Sequence, residues 1–411
     1  ANFYPIPSGA ALTLRFYSDD PYAQLPADTP LDSDGESAFQ VALASAAYSG
    51  SGSKVWVGVV GNPNIQYSTS TALLVNPNSP ARILMLAKGM SLVKGSSLGT
   101  SGTAASTSAG HGYPVTIFVA DTFSNPVLCS EFPSACIEPT LKFSLTDPFA
   151  PNVANQTISG GSKTISLEFR TNTTVNPVFG GPWSVSVSTV DGSALSSFTV
   201  SGISVNPDAP YQFQVLVPTE TARPGDLTML GKSTYSAVTK LAGSTFTITV
   251  NLVDRFFNRV LPGFNSTFKL TSNDPNNRLS TLGNFTTING QATVTDTFLV
   301  TQSTAVGWTI TASTATGDNI QSNQSTAFLV YPSTASKLVI RLSGQSQVDG
   351  VGISGIPVSR TAGEDISLTV FAVDSGFNLT SGVNKNIRLV SDDGFAQSSW
   401  TLTMTNSSVT A

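Results

Sequence analysis

One phrase recurs three times along the chain and fixes most of what it can fold into. Ala242 and Gly243 lead into a run in which Phe246, Ile248, Val250 and Leu252 alternate with Thr247, Thr249 and Asn251, and Asp254 and Asn258 follow. A period of two gives one apolar and one polar face, which is a half-buried strand, and Asp254 and Asn258 bracket the turn after it. Ala109-Gly110 leads in the same way to Asp121 and Asn125, and Ala362-Gly363 to Asp374 and Asn378. In every case Gly and Asp are eleven positions apart and Asp and Asn four, and the three aspartates stand 133 and 120 residues apart. Such self-similarity marks a tandem array.

Other markers keep step with it. Trp56, Trp183 and Trp308 each open an alternating strand and lie 127 and 125 residues apart, which makes them expected core positions. Val75-Asn76-Pro77, Val205-Asn206-Pro207 and Val330-Tyr331-Pro332 are junctions, each followed by a strand: Arg82 to Leu86, Gln212 to Leu216 and Lys337 to Leu342. Proline there makes a short, stiff link. Ser18-Asp19-Asp20-Pro21, Thr146-Asp147-Pro148, Ser272-Asn273-Asp274-Pro275 and Ser391-Asp392-Asp393-Gly394 each end a short strand, and Gly160-Gly161 and Asn289-Gly290 suit tight hairpins.

Many short strands, regular turn signals and no helical periodicity predict an all-β chain of tandem β-sandwiches. The copies at 77–206 and 207–332 are complete. Residues 1–76 form a partial domain that lacks its first strands, and 333–411 one that lacks its last. Partial sandwiches leave unpaired strand edges, which are association sites. Two explanations stand: the chain is a window on a longer array, or one copy completes the next head to tail by strand donation, which builds a filament where the contact does not close.

The segment from Leu216 to Val260, with Gly231-Lys232-Ser233 and then Ala242-Gly243, Asp254 and Asn258, resembles the Ig-like repeats of large secreted bacterial surface proteins. Asn289-Gly290 and the strand at Trp308 are similar to the matching part of invasin- and intimin-type Ig-like domains. The resemblance covers essentially the whole chain. It implies tandem Ig-like sandwiches, an extracellular or cell-surface location, and adhesion, spacing or filament building. The pair Cys129 and Cys136 and the partial domains at either end depart from it.

Composition narrows the function classes. Only 11% of the 411 residues are charged, and a net charge of −5 offers no basic stripe for nucleic acid. No apolar run is long enough to span a membrane. Cys129 and Cys136 flank a short polar loop, which favours a local disulfide and an oxidising compartment.

Catalytic constellations are poor. The chain has one histidine, His111, at a strand entrance. Gly95-Ser96-Ser97-Leu98-Gly99 matches a nucleophile-elbow pattern but lies in linker-like composition. Gly225 to Lys232 is one residue too long between glycines for a phosphate loop. Asp32, Asp34 and Glu36 offer carboxylates to calcium, against the plainer reading of a solvated turn; Asp121, Asp254 and Asp374 read first as turn caps. The reading is therefore no enzyme, no cofactor and no metal. Glycosylation sequons stand at Asn155, Asn172, Asn265, Asn284, Asn323, Asn378 and Asn406, about as many as chance gives in so Ser/Thr-rich a chain. The expected function is a structural subunit of an extracellular filament or appendage, carrying covalent glycans and partnered by copies of itself. The alternative is an adhesin whose loops bind a surface glycan.

Overall fold

In a computed structural model the chain is described over residues 12–32, 34–47, 52–175, 177–233, 239–260, 262–277, 279–298, 300–301, 306–395 and 399–411. Residues 1–11 of the first expected domain therefore lie outside the described residues. The chain is all-β and divides into two units, Ala1–Asn206 and Pro207–Ala411.

Each unit contains one complete sandwich. In the second, Gln212–Leu216, Thr245–Val253 and Gln291–Thr297 form a three-stranded antiparallel sheet with Thr245–Val253 in the middle. The facing sheet has four strands in the order Phe285–Thr286, Thr267–Ser272, Ile310–Thr314, Asn323–Gln324. The first unit repeats this with Arg82–Ala87, Gly112–Ala120 and Ser162–Glu168 in one sheet. Its facing sheet holds Gln156–Thr157, Thr140–Leu145, Trp183–Thr189 and Phe198–Ile203. The alternating pattern does what its period demands: Phe246, Ile248 and Val250 are buried, and Thr245 and Thr247 are exposed. The core between the sheets gathers Phe213, Val215, Phe268, Leu270, Ile310 and Phe328 around them. Each such side chain contributes about 1.5–3 kcal/mol on burial.

The hairpin into the last strand of each three-stranded sheet carries the predicted turn. Asn289 and Gly290 both have positive φ (51° and 73°), as a type I′ turn requires. Gly160-Gly161 does the same in the first unit, and Asn406-Ser407 near the C-terminal end. One bond locks all three to the central strand: Val119 N donates to Gly161 O, Leu252 N to Gly290 O and Ala372 N to Ser407 O.

The outer quarters carry opposite halves of this plan. Residues 12–75 supply one four-stranded sheet, Thr29–Pro30, Thr13–Ser18, Val55–Val59 and Ser68–Thr69. Residues 333–411 supply the three-stranded sheet, Lys337–Leu342, Leu368–Val373 and Ser408–Thr410, with a hairpin of Lys385–Val390 and Ser399–Met404.

Register corrects one sequence expectation. Asp19 N donates to Lys54 O, Thr146 N to Ser184 O and Asn273 N to Thr309 O. Lys54, Ser184 and Thr309 are therefore equivalent, and Ser53 is the residue that matches Trp183 and Trp308. Those two tryptophans pack inward, each indole N–H donating to a backbone carbonyl, Thr171 O at 2.7 Å and Val300 O at 2.9 Å. Trp56 lies three residues further on, and the period of two turns it to the opposite face.

The complete sandwiches also differ at one core row. Leu167 pairs with Tyr113 in the first, and Asp296 takes that place opposite Phe246 in the second. Asp296 is buried near Asp274, whose Oδ2 is buried without a hydrogen-bond partner. Burial holds the Asp274 carboxyl above its ordinary range, and the Asp296 charge adds to this. A raised carboxyl destabilises the folded state at neutral pH, and the penalty fades as pH falls through the raised value. Asp296→Leu, the residue of the sister copy, is expected to gain about 1 kcal/mol at pH 7. The gain should shrink toward pH 4, and urea melts at the two pH values check it.

Candidate functional site: the Asp–Asn joint

The repeated aspartate does more than cap a turn. Asp254 Oδ1 accepts from Phe256 N (2.8 Å) and Asn258 N (2.9 Å), and Oδ2 accepts from Asn258 Nδ2 (2.9 Å) and Asp208 N (2.9 Å). Asp208 directly follows the junction proline, Pro207. The other copies repeat this bond: Asp121 Oδ2 accepts from Asn78 N at 2.8 Å and Asp374 Oδ2 from Ser333 N at 3.0 Å. One buried carboxylate thus binds the end of the central strand to the entry of its own copy. Burial pushes the Asp254 carboxyl up, against the downward pull of its N–H donors. In each turn the residue before the asparagine is forced left-handed: Ser124 (φ 64°), Phe257 (61°) and Phe377 (62°). Non-glycine residues hold that conformation where surrounding bonds over-determine it.

The asparagine faces the other way along the chain. Asn125 Oδ1 accepts from Ala46 N and its Nδ2 donates to Ala44 O, both at 2.8 Å, in the quarter that precedes its own sandwich. Lys94 Nζ adds a bond to Ala46 O at 3.0 Å. In the second unit Asn378 Oδ1 accepts from Thr301 N, in the preceding sandwich, at 3.0 Å. In these two copies the Asp–Asn pair is therefore a joint, the Asp gripping its own linker and the Asn the neighbour's backbone. Because its oxygens are occupied by N–H donors, the arrangement suits positioning rather than acid–base chemistry.

The remaining sequence candidates fall as follows. His111 is exposed in the turn before Gly112–Ala120. Ser96 Oγ donates to Val93 O and accepts from Gly99 N, closing a loop with no helix behind it. Asp32 Oδ1 accepts from Asp34 N and Glu36 N, as a turn does; Ser33 lies outside the described residues. Among the described residues no three acidic, His or Cys side chains gather to hold a metal. Cys129 and Cys136 have Cα atoms 5.0 Å apart, within disulfide reach, across a turn in which Cys136 N donates to Phe132 O.

The sequons separate by burial. Asn155, Asn265, Asn284 and Asn406 are exposed and Asn323 is half-buried, its Oδ1 accepting from Val215 N. Asn172 and Asn378 are buried, and Asn378 Nδ2 donates to both oxygens of Asp374.

Sequence reasoning did not find Lys232. It is buried with its Nζ 3.9 Å from Glu220 Oε2, which also accepts from Val217 N at 2.9 Å. Thr326 Oγ1 donates to the other Glu220 oxygen. Burial lowers the Lys232 pKa and Glu220 partly restores it. The only sequence signal was the near-miss phosphate loop, whose lysine the fold uses to pin the 217–233 loop.

No family model and no curated protein matches the chain. Its fold is similar to those of bacterial Ig-like adhesins. The FdeC adhesin of Escherichia coli is 13% identical over 82% of this chain and 92% of its own, with a TM-score of 0.28. The Yersinia pseudotuberculosis adhesin InvE is 18% identical over 57% of this chain and 63% of its own, with a TM-score of 0.20. β-Glucuronidase 3 of Bacteroides uniformis is also similar, at 9% identity over 59% of this chain, with a TM-score of 0.20. The chain spans 24% of that enzyme's length. At these identities and scores the likenesses carry no function across.

Proposed function

We propose that the chain is a structural, non-enzymatic subunit of an extracellular filament or surface appendage, of adhesin type. Each Ig-like copy pins its own entry linker through the repeated Asp, and copies complete one another head to tail. What supports this reading is the mismatch between the outer quarters and the complete sandwiches. Leu338 and Ile340 are 55% and 46% exposed, whereas their register equivalents Ile83, Met85, Phe213 and Val215 are fully buried. In the complete copies the edge of that strand is also paired: Ile83 N donates to Ser196 O and Phe213 N to Gln321 O, both from the exit-strand region. Residues 333–411 thus present the sheet that 12–75 needs. The latter present, half-buried, the inward row of Phe16, Val55 and Val57. Both quarters hold a Ser-Asp strand, Thr13–Ser18 and Lys385–Val390, so completion uses one and displaces the other.

Sedimentation of the 411-residue chain over a range of concentrations tests this. Growing head-to-tail oligomers are expected, abolished by Leu338→Asp with Ile340→Asp. A single monomeric species at every concentration overturns it. Covalent glycans fit best at Asn155 and Asn284, exposed ahead of equivalent hairpins. Peptide mass spectrometry of the native material should find both modified and Asn172 and Asn378 bare; unmodified Asn155 and Asn284 remove the claim.

A further inference from the structure

The displaced Trp56 stands in a surface that, among the described residues, the two complete sandwiches lack. Tyr17 pairs with Trp56 and Trp56 with Thr69, so these residues form one outward row across three strands. In the complete sandwiches the same row reads Ser144, Ser186 and Thr199, and Thr271, Thr311 and Gln324. Both sister sheets form with hydroxyl and amide side chains there, so the fold does not need the aromatics. The Tyr17 and Trp56 rings are stacked nearly parallel, with 6.1 Å between centroids and 9° between their planes. Tyr67 closes the end of that pair edge-on to Tyr17 at 5.6 Å and is 63% exposed. A glycine makes room for it: a Cβ on Gly58 would lie 2.2 Å from Tyr67 Cε1. The sister sheets have Ser188 and Ser313 at that register and serine at the place of Tyr67, Ser197 and Ser322.

We propose that Tyr17, Trp56 and Tyr67 form a carbohydrate-binding platform for neutral pyranose chains. The C–H face of a pyranose stacks on an aromatic ring, and a parallel pair with Tyr67 edge-on at its end offers ring faces and edges to successive sugar rings. Arg15, on the same face, is held by Asp28 through two bonds, Nε to Oδ1 at 2.8 Å and Nη2 to Oδ2 at 2.5 Å. The pair offers donors and acceptors to sugar hydroxyls while its charges cancel, which selects neutral over acidic glycans. Three rings cover far less than the roughly 1,000 Å² that a stable protein interface buries. The acidic chain disfavours nucleic acid, the other partner that stacks on aromatics.

This platform goes beyond the filament reading and stands independently of it, because completion uses the opposite, inward face of the same sheet. The full chain is run in native gels containing a soluble β-glucan, a mannan or a galactan, with alginate as the acidic control. Retardation by at least one neutral polysaccharide and none by alginate is expected. Trp56→Ser and Tyr67→Ser, which install residues of the first complete sandwich, should each weaken binding by about tenfold or more. Gly58→Ser should weaken it by lifting Tyr67. Circular dichroism and sedimentation should match the parent chain, which separates loss of the platform from loss of fold or assembly. Free migration of the parent chain in all three neutral gels overturns the proposal, as does equal retardation of the Trp56→Ser variant.

Discussion

Asp254→Ala is expected to destabilise the 207–332 sandwich by about 4 kcal/mol, enough to unfold it well below the melting point of the other complete copy. The substitution leaves Phe256 N, Asn258 N, Asn258 Nδ2 and Asp208 N without their acceptor in a buried setting. Each orphaned donor costs about 1–3 kcal/mol, and relaxation toward water recovers part of the sum. Phe257 then also loses the bonds that hold it left-handed. Asp254→Asn should be nearly as damaging, because an amide cannot accept at both positions. Calorimetry of the full chain checks this: one transition should move down while that of 77–206 stays. A shift no larger than that of an exposed Asp365→Ala control would show the joint to be decorative.

The second large effect lies at Lys232 and Glu220. Glu220→Gln is expected to cost about 3–5 kcal/mol, since it strands a buried ammonium, and Lys232→Met about as much by stranding the carboxylate. The double variant should recover a large part of the loss, because two neutral groups bury without a charge to compensate. A double-mutant cycle in urea measures the coupling. Additive losses would mean that the ions do not interact and that the 217–233 loop is held by packing alone.

The repeat was readable because its markers are local and chemical. Alternation in Phe246 to Leu252 fixes a strand, Asn289-Gly290 fixes a turn, and Asp254 with Asn258 fixes a capped strand end. The long-range half of the joint was not readable. That Asn125 bonds to Ala44 and Ala46 depends on how two copies meet, and nothing within the motif states it. Trp56 misled for a related reason. Its spacing is within two residues of the repeat, but in a strand a slip of three reverses the face, and only the register to Tyr17 reveals it. Lys232 was invisible because a buried ion pair across the loop, from Glu220 to Lys232, has no sequence signature. The sequons at Asn172 and Asn378 satisfy the tripeptide rule yet sit where the fold needs the side chain, since Asn172 Oδ1 accepts from Val175 N at 3.0 Å.

Three junctions are each pinned to their own copy by one device, the buried Asp carboxylate. Residue-resolved hydrogen exchange of the full chain tests this most directly, by timing the amides of Asn78, Asp208 and Ser333. Although each follows a proline at a linker, each should exchange as slowly as the central strands Gly112–Ala120, Thr245–Val253 and Leu368–Val373 of its own copy. Exchange of all three at the rate of exposed loops such as 61–64 would contradict the pinning of each linker to its own copy.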